Sequence, residues 1–419
     1  MNISFKKNSG SKVKTPNCVV YFIVFILLTP IIKIMFRMKY DRSGFDIPSG
    51  SFVTICNHAS FMDFLTVMMA VYPHRLNAVV AQKYFFYKPL DKFLSFMGCI
   101  PKNLFDPDTR SVMRIISVIK DGGKLLLFPE GRCTTGGGYM GMHKATGKLI
   151  KRLGVPVVCC HIEGAYNCMP LWRKGIRWGH QRAALTVLFT GEEVDRLTAD
   201  EINLRIDMRL SGADSPPPVR PLTVLRERNL VLGLEHILYF CPNCKQEFTH
   251  ETSGNIIKCT ACGNAAAMDR SAKLTPLLGS VAPESVQLWY KEQVHHETGR
   301  LLDADEIFNV EVNVRMPVVP GKGLELCGHG MLSLDKTGWS FSGSLSGEDV
   351  RLFFPIDTVP AVPLDPNDNF QIYAQGNFYA FTPRNNPVAC IKYSVIGECA
   401  YQQFASHIQM TPSAAHTLH

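Results

Sequence analysis

The sequence predicts three structural parts: an α/β domain with a parallel sheet flanked by helices, a small cysteine module and a β-rich C-terminal domain. Short apolar strands alternate with helices of apolar periodicity across residues 46–210. Two Cys-x-x-Cys pairs lie within residues 235–268. Strand-like segments separated by turns dominate residues 269–419. A proline-rich linker, assigned to residues 211–234, separates the first part from the second.

The first element is a basic, apolar N-terminus covering residues 1–45. The chain has 419 residues and a net charge of +8, and nearly all of that charge lies in this segment. Basic side chains flank an uncharged apolar run from Cys18 to Ile32. The combination predicts a retained membrane anchor on an anionic lipid surface, either spanning or re-entrant at Pro30. A signal peptide is the alternative, but no small-residue cleavage site follows the run.

The 14 cysteines show no spacing typical of a disulfide framework, and several lie within apolar stretches. Free cysteine there behaves as a small hydrophobic residue. This usage indicates a reducing compartment, so we expect membrane association with the catalytic domain on the cytoplasmic face.

Strands are expected at 52–56, 124–128 and 155–160, with helices at 110–120 and 143–153. A glycine follows each helix closely, as at Gly154. In the C-terminal part, strands are expected at 308–315, 332–334, 339–341, 370–372 and 378–381, with a closing helix at 395–405. This arrangement weakly resembles a PH- or GRAM-type domain.

The first chemical motif is Asn57-His58-Ala59-Ser60-Phe61-Met62-Asp63, directly after the first expected strand. His58 and Asp63 would point about 140° apart on one regular helix. They can meet if His58 lies in the turn and Asp63 in the first turn of the next helix. An imidazole held by a carboxylate acts as a general base. A histidine satisfied within its loop is the alternative.

The second motif is Phe128-Pro129-Glu130-Gly131-Arg132-Cys133-Thr134, after the next apolar strand. Ligands of open α/β sheets bind at the carboxyl ends of strands, and both motifs follow a strand. Glycine beside Glu130 and Arg132 lets backbone N–H groups approach an oxyanion. Two motifs in equivalent places favour one shared site.

Together these motifs resemble the glycerolipid acyltransferase family, which includes the 1-acylglycerol-3-phosphate acyltransferases. The family's Asn-His-x-Ser-x-x-Asp block matches at Asn57, His58, Ser60 and Asp63. Its Phe-Pro-Glu-Gly-Thr-Arg-Ser block matches through Gly131, but the arginine here is displaced by one residue, to Arg132. A third block resembles residues 98–102, with Lys102 in place of arginine.

The resemblance spans roughly residues 18–200 and implies an acyltransferase-type sheet. It implies that His58 and Asp63 are catalytic and that acyl-CoA or acyl carrier protein is the acyl donor. The acceptor would be the hydroxyl of 1-acylglycerol-3-phosphate, giving phosphatidate. The substrate-binding residues implied by the same blocks are Asn57, Ser60, Lys102, Glu130, Gly131 and Arg132. Lysine lacks the bidentate fork of arginine, so Lys102 predicts looser headgroup recognition.

The four cysteines of the middle module are Cys241, Cys244, Cys259 and Cys262. Four thiolates in two Cys-x-x-Cys pairs are typical of a structural zinc ribbon. Two redox pairs are the alternative. Ribbons can bind nucleic acid, but the basic and acidic residues of this segment balance, so we expect no nucleic-acid partner.

Two other functions stay open on sequence alone. The acceptor could be a different lysophospholipid or a lyso-aminolipid. The chain could instead be a membrane-tethered adaptor with a degenerate acyltransferase fold. Cys133 is a candidate nucleophile, but His58 already supplies the chemistry and no other histidine pairing marks this cysteine as activated.

Overall fold

The computed structural model describes residues 13–42, 46–105, 108–213, 224–303, 307–374 and 376–410. Residues 214–223 of the expected proline-rich linker, which include its prolines at 216–218 and 221, lie outside these ranges, as do Lys6, Lys7 and Lys12 of the basic N-terminus.

A seven-stranded sheet forms the first part of the fold. Its strands are β1 Lys39–Asp41, β2 Val53–Cys56, β3 Leu76–Ala81, β4 Ile100–Lys102, β5 Lys124–Leu127, β6 Val157–Glu163 and β7 Arg182–Phe189. Its helices are α1 Cys18–Met35, α2 Asp63–Ala70, α3 Leu90–Phe96, α4 Thr109–Lys120, α5 Ala145–Leu153, α6 Ala165–Cys168, α7 Gly191–Arg196 and α8 Ala199–Ser211. The predicted α/β fold class is confirmed.

The sheet order is β1-β7-β6-β2-β5-β3-β4. Strands β6, β2, β5, β3 and β4 are parallel, as predicted. The prediction was wrong at one edge, because β7 runs antiparallel to β6 and β1 runs parallel to β7. Strand β2 is central and fully buried, which explains its unbroken apolar sequence.

Two packed layers cover this sheet. Alternate residues of β2 point to opposite sides, so Val53 and Ile55 join one apolar core and Cys56 joins another. Gly154 ends α5 in the left-handed conformation, at φ 60°, as its sequence position predicts.

Helix α1 contains the apolar run. It is long and apolar enough to cross a membrane, and most of its surface is not covered by protein. Only Tyr21 and Ile32 are buried within it, packing with Met68 and Met97. Pro30 lies inside this one helix, which continues to Met35. The re-entrant turn considered at Pro30 is therefore not formed.

The cysteine module is a four-stranded sheet made of β8 His250–Ser253, β9 Ile256–Cys259, β10 Ala265–Met268 and β11 Leu274–Pro276. Its apolar side chains do not form an isolated core. Tyr239, Phe240 and Ile257 pack into the same cluster as Trp289 and Trp339 of the following region. The module is thus stabilised by its neighbour as well as by its own contacts.

The C-terminal region begins with α9 Val286–Asp303, which the sequence analysis did not predict, and ends with α10 Cys390–Met410. Between them lie β12 Phe308–Met316, β13 Glu325–Asp335, β14 Gly338–Leu345, β15 Glu348–Pro355, β16 Leu364–Asp365, β17 Asn369–Ala374 and β18 Asn377–Pro383. They form one antiparallel sheet in the order β15-β14-β13-β12-β18-β17-β16. The expected strands and closing helix are present, so the β-rich prediction is confirmed.

Candidate active site

His58 lies in the turn between β2 and α2. Its Nδ1 is 3.2 Å from Oδ2 of Asp63, the first residue of α2. The same Asp63 carboxylate accepts hydrogen bonds from the N–H groups of Ala59 and Ser60 and from the Ser60 hydroxyl. Asp63 is only 1% exposed, so these bonds hold its charge and fix the turn around it. The structure brings the two predicted catalytic residues together.

Two predicted substrate-binding residues support this turn from inside the protein. The Asn57 amide donates to the carbonyl of Ile162 and accepts from its N–H, which ties the end of β2 to β6. Ser60 is buried against Asp63. In this conformation the hydrogen bonds of both side chains are made within the protein, so a role in substrate binding stays a prediction.

Glu130 joins the two motifs. One oxygen accepts the N–H of His58 at 2.7 Å, and the other accepts the N–H of Met140 at 3.1 Å. Burial raises the pKa of Glu130 to about 7, although both N–H donors and nearby His58 act in the opposite direction. Gly131 follows at φ 73°, a conformation that favours glycine. Glu130 therefore orients the His58 turn in addition to any predicted contact with substrate.

The imidazole of His58 contacts an aromatic ring and a thiol. Phe128 stacks on one side, with ring centroids 4.1 Å apart. The sulfur of Cys133 lies 3.6 Å from Nδ1 and 3.5 Å from Nε2. The Cys133 sulfur is thus within contact distance of both ring nitrogens. Sequence reasoning missed this contact, since 75 residues separate Cys133 from His58.

The same contacts shift the pKa of His58. Burial lowers its pKa, but the neighbouring Cys133 thiol and Asp63 carboxylate raise it by more. The net result is a pKa well above the ordinary histidine value. Asp63 on Nδ1 leaves Nε2 as the nitrogen that can exchange a proton with a substrate.

Arg132 points away from this histidine. Its guanidinium forms a two-pronged ion pair with the Glu398 carboxylate of α10, and one prong, Nη2 to Oε2, is 2.6 Å long. The two side chains are only 13% and 14% exposed. In this conformation both Nη groups of Arg132 are engaged by Glu398. Glu398 was missed by sequence reasoning because it lies in a region without a motif.

Lys102 is the last residue of β4, three strands from β2 in the sheet order. Strands lie about 4.8 Å apart, which places the two strands roughly 14 Å from each other. Lys102 is near His143 and Asp108. Burial lowers the pKa of His143, and the charge of Lys102 lowers it further. Burial alone would raise the pKa of Asp108, but three hydrogen bonds and the charge of Lys102 lower it below its ordinary value. Its predicted headgroup role would therefore concern a part of the substrate distant from His58.

The four cysteines of the ribbon converge as predicted. The sulfurs of Cys241 and Cys262 are 3.8 Å apart, and those of Cys244 and Cys259 are 3.7 Å apart. All four sulfurs lie within 4.8 Å of one another. Zn–S bonds of about 2.3 Å at tetrahedral angles separate sulfurs by about 3.8 Å. The cluster has the composition and size of a zinc site.

Comparison with known proteins agrees with this geometry. Residues 42–163 match the model of the Acyltransferase family. A chloroplastic 1-acyl-sn-glycerol-3-phosphate acyltransferase of Brassica napus is 27% identical over 175 residues, which is 40% of this chain and 50% of that protein. The Bacillus subtilis 1-acyl-sn-glycerol-3-phosphate acyltransferase is 24% identical over 137 residues, 32% of this chain and 67% of its own. This chain thus spans about half the length of the chloroplastic relative.

Among solved structures, the 1-acyl-sn-glycerophosphate acyltransferase of Thermotoga maritima aligns with a TM-score of 0.40 and 16% identity, covering 48% of this chain and 81% of that one. The matched segment of the present chain holds both motif loops, from His58 and Asp63 to Glu130 and Cys133. Residues 42–163 thus form an acyltransferase-type segment, and the chain is similar to a 1-acyl-sn-glycerol-3-phosphate acyltransferase over 40% of its length.

Proposed function

We propose that this protein transfers a fatty acyl group from acyl-CoA or an acyl carrier protein to the hydroxyl of a lysophospholipid. The observation that carries the proposal is the His58–Asp63 pair at 3.2 Å, held by Glu130 between the two motif loops. An imidazole whose Nδ1 is held by a carboxylate can act as a general base through its other nitrogen.

In the proposed reaction, Nε2 of His58 accepts the proton of the acceptor hydroxyl as its oxygen attacks the thioester carbonyl. Asp63 stabilises the imidazolium that forms. The carbon–sulfur bond of the donor then breaks, and the proton passes from His58 to the departing thiolate. The products are an ester and a free thiol, with no acyl-enzyme intermediate.

The reference acceptor is 1-acylglycerol-3-phosphate, which the names of the relatives specify, and its product is phosphatidate. A second acceptor class, another lysophospholipid, is favoured by one observation. Arg132, the arginine displaced within the family block, is paired with Glu398.

We further propose that α1 anchors the protein to a membrane. Its exposed large apolar side chains include Val19, Phe22, Ile26, Leu27 and Ile34, and covering them would remove apolar surface from water. The catalytic domain would then lie at the cytoplasmic face, where a lysophospholipid substrate is embedded. The proposed domain limits remain those expected from sequence, with residues 269–419 as a PH- or GRAM-like unit.

The ribbon cysteines are proposed to hold one structural zinc ion. Cys241, Cys244, Cys259 and Cys262 supply all four ligands of a closed tetrahedral site, so the metal would stabilise the fold and take no part in acyl transfer. Its position between the two larger regions suits that role.

The test is an assay of the purified protein in lipid vesicles. Lysophosphatidate and other lysolipids are offered with acyl-CoA and with acyl carrier protein as donors, and ester formation is measured by mass spectrometry. The His58→Ala variant is the control for background transfer. Absence of enzyme-dependent ester with every acceptor and donor would favour the alternative of a membrane-tethered adaptor.

A further inference from the structure

The displaced arginine has a structural consequence beside His58. Consecutive residues of the second motif send their side chains to different places: Arg132 reaches Glu398, and Cys133 reaches His58. A thiol therefore lies on the imidazole, at the position where the family block has its arginine. Among the described residues, the side chain of His58 contacts Asp63, Phe128 and Cys133, none of which offers the guanidinium fork that binds phosphate oxygens in two-pronged fashion.

The pair that holds Arg132 is built into the C-terminal region. Besides the guanidinium, the Glu398 carboxylate accepts the N–H of Val362 at 3.0 Å. The loop after Arg132 is also fixed there. A Cβ at Gly136 would come within 2.6 Å of the Tyr290 ring, so the loop packs closely against α9. Glu398 is thus a positioned partner rather than a mobile surface acid.

A second cation near the His58 turn, Lys83, is also paired with a carboxylate of the C-terminal region. The ammonium of Lys83 lies 3.1 Å from Asp365, and Gln371 also contacts Lys83. Tyr84, next in sequence, packs against Phe61 of the His58 motif. The C-terminal region thus supplies one carboxylate to each of two cations that flank the motif turns. Each pair lowers the positive charge available to an anionic substrate.

We propose that Glu398 is a specificity-determining residue. By keeping the Arg132 guanidinium in an ion pair, it selects lysophospholipids with a singly charged phosphodiester headgroup over those with a phosphomonoester. A phosphomonoester carries close to two negative charges near neutral pH and needs more cationic partners. A phosphodiester carries one charge and has fewer free oxygens. This inference rests on the proposed acyl transfer and names the acceptor class of that reaction.

The test compares two acceptors, lysophosphatidate and lysophosphatidylglycerol, in the same vesicles with the full-length protein and acyl-CoA. The quantity measured is the ratio of kcat/KM for the two. We expect the parent protein to prefer lysophosphatidylglycerol. Glu398→Gln should shift the ratio about tenfold toward lysophosphatidate by releasing the guanidinium. Glu348→Gln, at an exposed glutamate of β15, is the matched control and should not shift it.

A second variant tests the same idea without disturbing α10. Cys133→Arg returns a guanidinium to the position beside His58 and should also shift the ratio toward lysophosphatidate, whatever its effect on overall rate. A parent preference for lysophosphatidate, or an equal loss on both acceptors in Glu398→Gln with no shift in Cys133→Arg, overturns the proposal and leaves acyl transfer intact. Transfer to neither acceptor overturns the proposed function itself.

Discussion

The carboxylate of Glu130 accepts the backbone N–H of His58 at 2.7 Å across 72 residues of sequence. Its other oxygen accepts the N–H of Met140. One buried acid therefore holds the turn that presents His58 and the glycine-rich loop that follows Cys133. The two motifs act as one rigid unit because this side chain lies between them.

Glu130→Gln is expected to loosen that unit. The amide offers only one acceptor oxygen, so its NH₂ group faces one of the two N–H donors. Leaving a buried donor unsatisfied costs about 1–3 kcal/mol. We expect a lower thermal midpoint together with reduced kcat, measured by calorimetry and by the vesicle assay. Glu292→Gln, at an exposed site on α9, is the control. Unchanged stability and rate would contradict the role given to Glu130.

His58→Ala is expected to reduce acyl transfer about 10²-fold or more, because it removes the general base. Fold and vesicle binding should persist, which circular dichroism and flotation check. His329→Ala, at an exposed histidine of β13, is the matched control and should keep full activity. Near-normal turnover in His58→Ala would refute the mechanism.

The pH dependence should report the environment of His58. The base acts only when unprotonated, and its pKa is raised, so kcat/KM should rise with pH through a midpoint above that of ordinary histidine. Cys133→Ala removes one of the groups that raise this pKa, so the midpoint should move to lower pH. The raised pKa also adds stability that is present at low pH and lost as pH rises through the folded-state value. An unshifted midpoint in Cys133→Ala would refute this assignment.

The ribbon should contain one zinc ion per chain by elemental analysis. Cys259→Ser removes a ligand and should unfold the module locally, since metal binding supplies folding energy. Because Tyr239 and Trp289 share one core, the destabilisation should also reach α9. Hydrogen exchange can map its extent, with Cys327→Ser outside the cluster as control. Four freely reactive thiols in the folded, metal-free protein would exclude the zinc site.

Deleting residues 1–40 should release the protein from vesicles. The intact protein should stay bound in molar salt, because apolar contacts of α1 are not screened whereas exposed charge contacts are. If the basic flank dominated, each Lys or Arg would contribute about 1 kcal/mol and salt would release the protein. Vesicle flotation across salt concentrations separates these cases, and complete release at high salt would contradict anchoring by α1.

Local sequence signals predicted much of this molecule. Three short patterns each predicted an element from a few neighbouring residues: the apolar run of β2, the periodicity of α4 and the glycine after α5. The motif spacing left it open that His58 and Asp63 meet, the family resemblance implied that they do, and the structure brings them to 3.2 Å. The antiparallel edge of the sheet could not be predicted in this way, because strand direction depends on where a long connection returns.

The contacts of the candidate site that the sequence did not predict are all of one kind. Cys133 beside His58 and Glu398 beside Arg132 are contacts between residues far apart in sequence. Periodicity and spacing carry no information on such contacts. Helix α9 was also missed, since its apolar residues are interrupted by Lys291, Glu292 and buried Gln293. Packing of its side chains against the ribbon and the C-terminal sheet stabilises this helix.

The pairing of Arg132 with Glu398 can form only late in protein synthesis. The two residues are 266 positions apart, which the ribosome covers in roughly 15 to 50 s. During that interval α1, the proposed membrane anchor, is already made, while the loop carrying Arg132 has not received its partner. If α1 anchors the nascent chain as proposed, the chain would be at the membrane before this loop is complete, and translation of α10 would be the event that completes it.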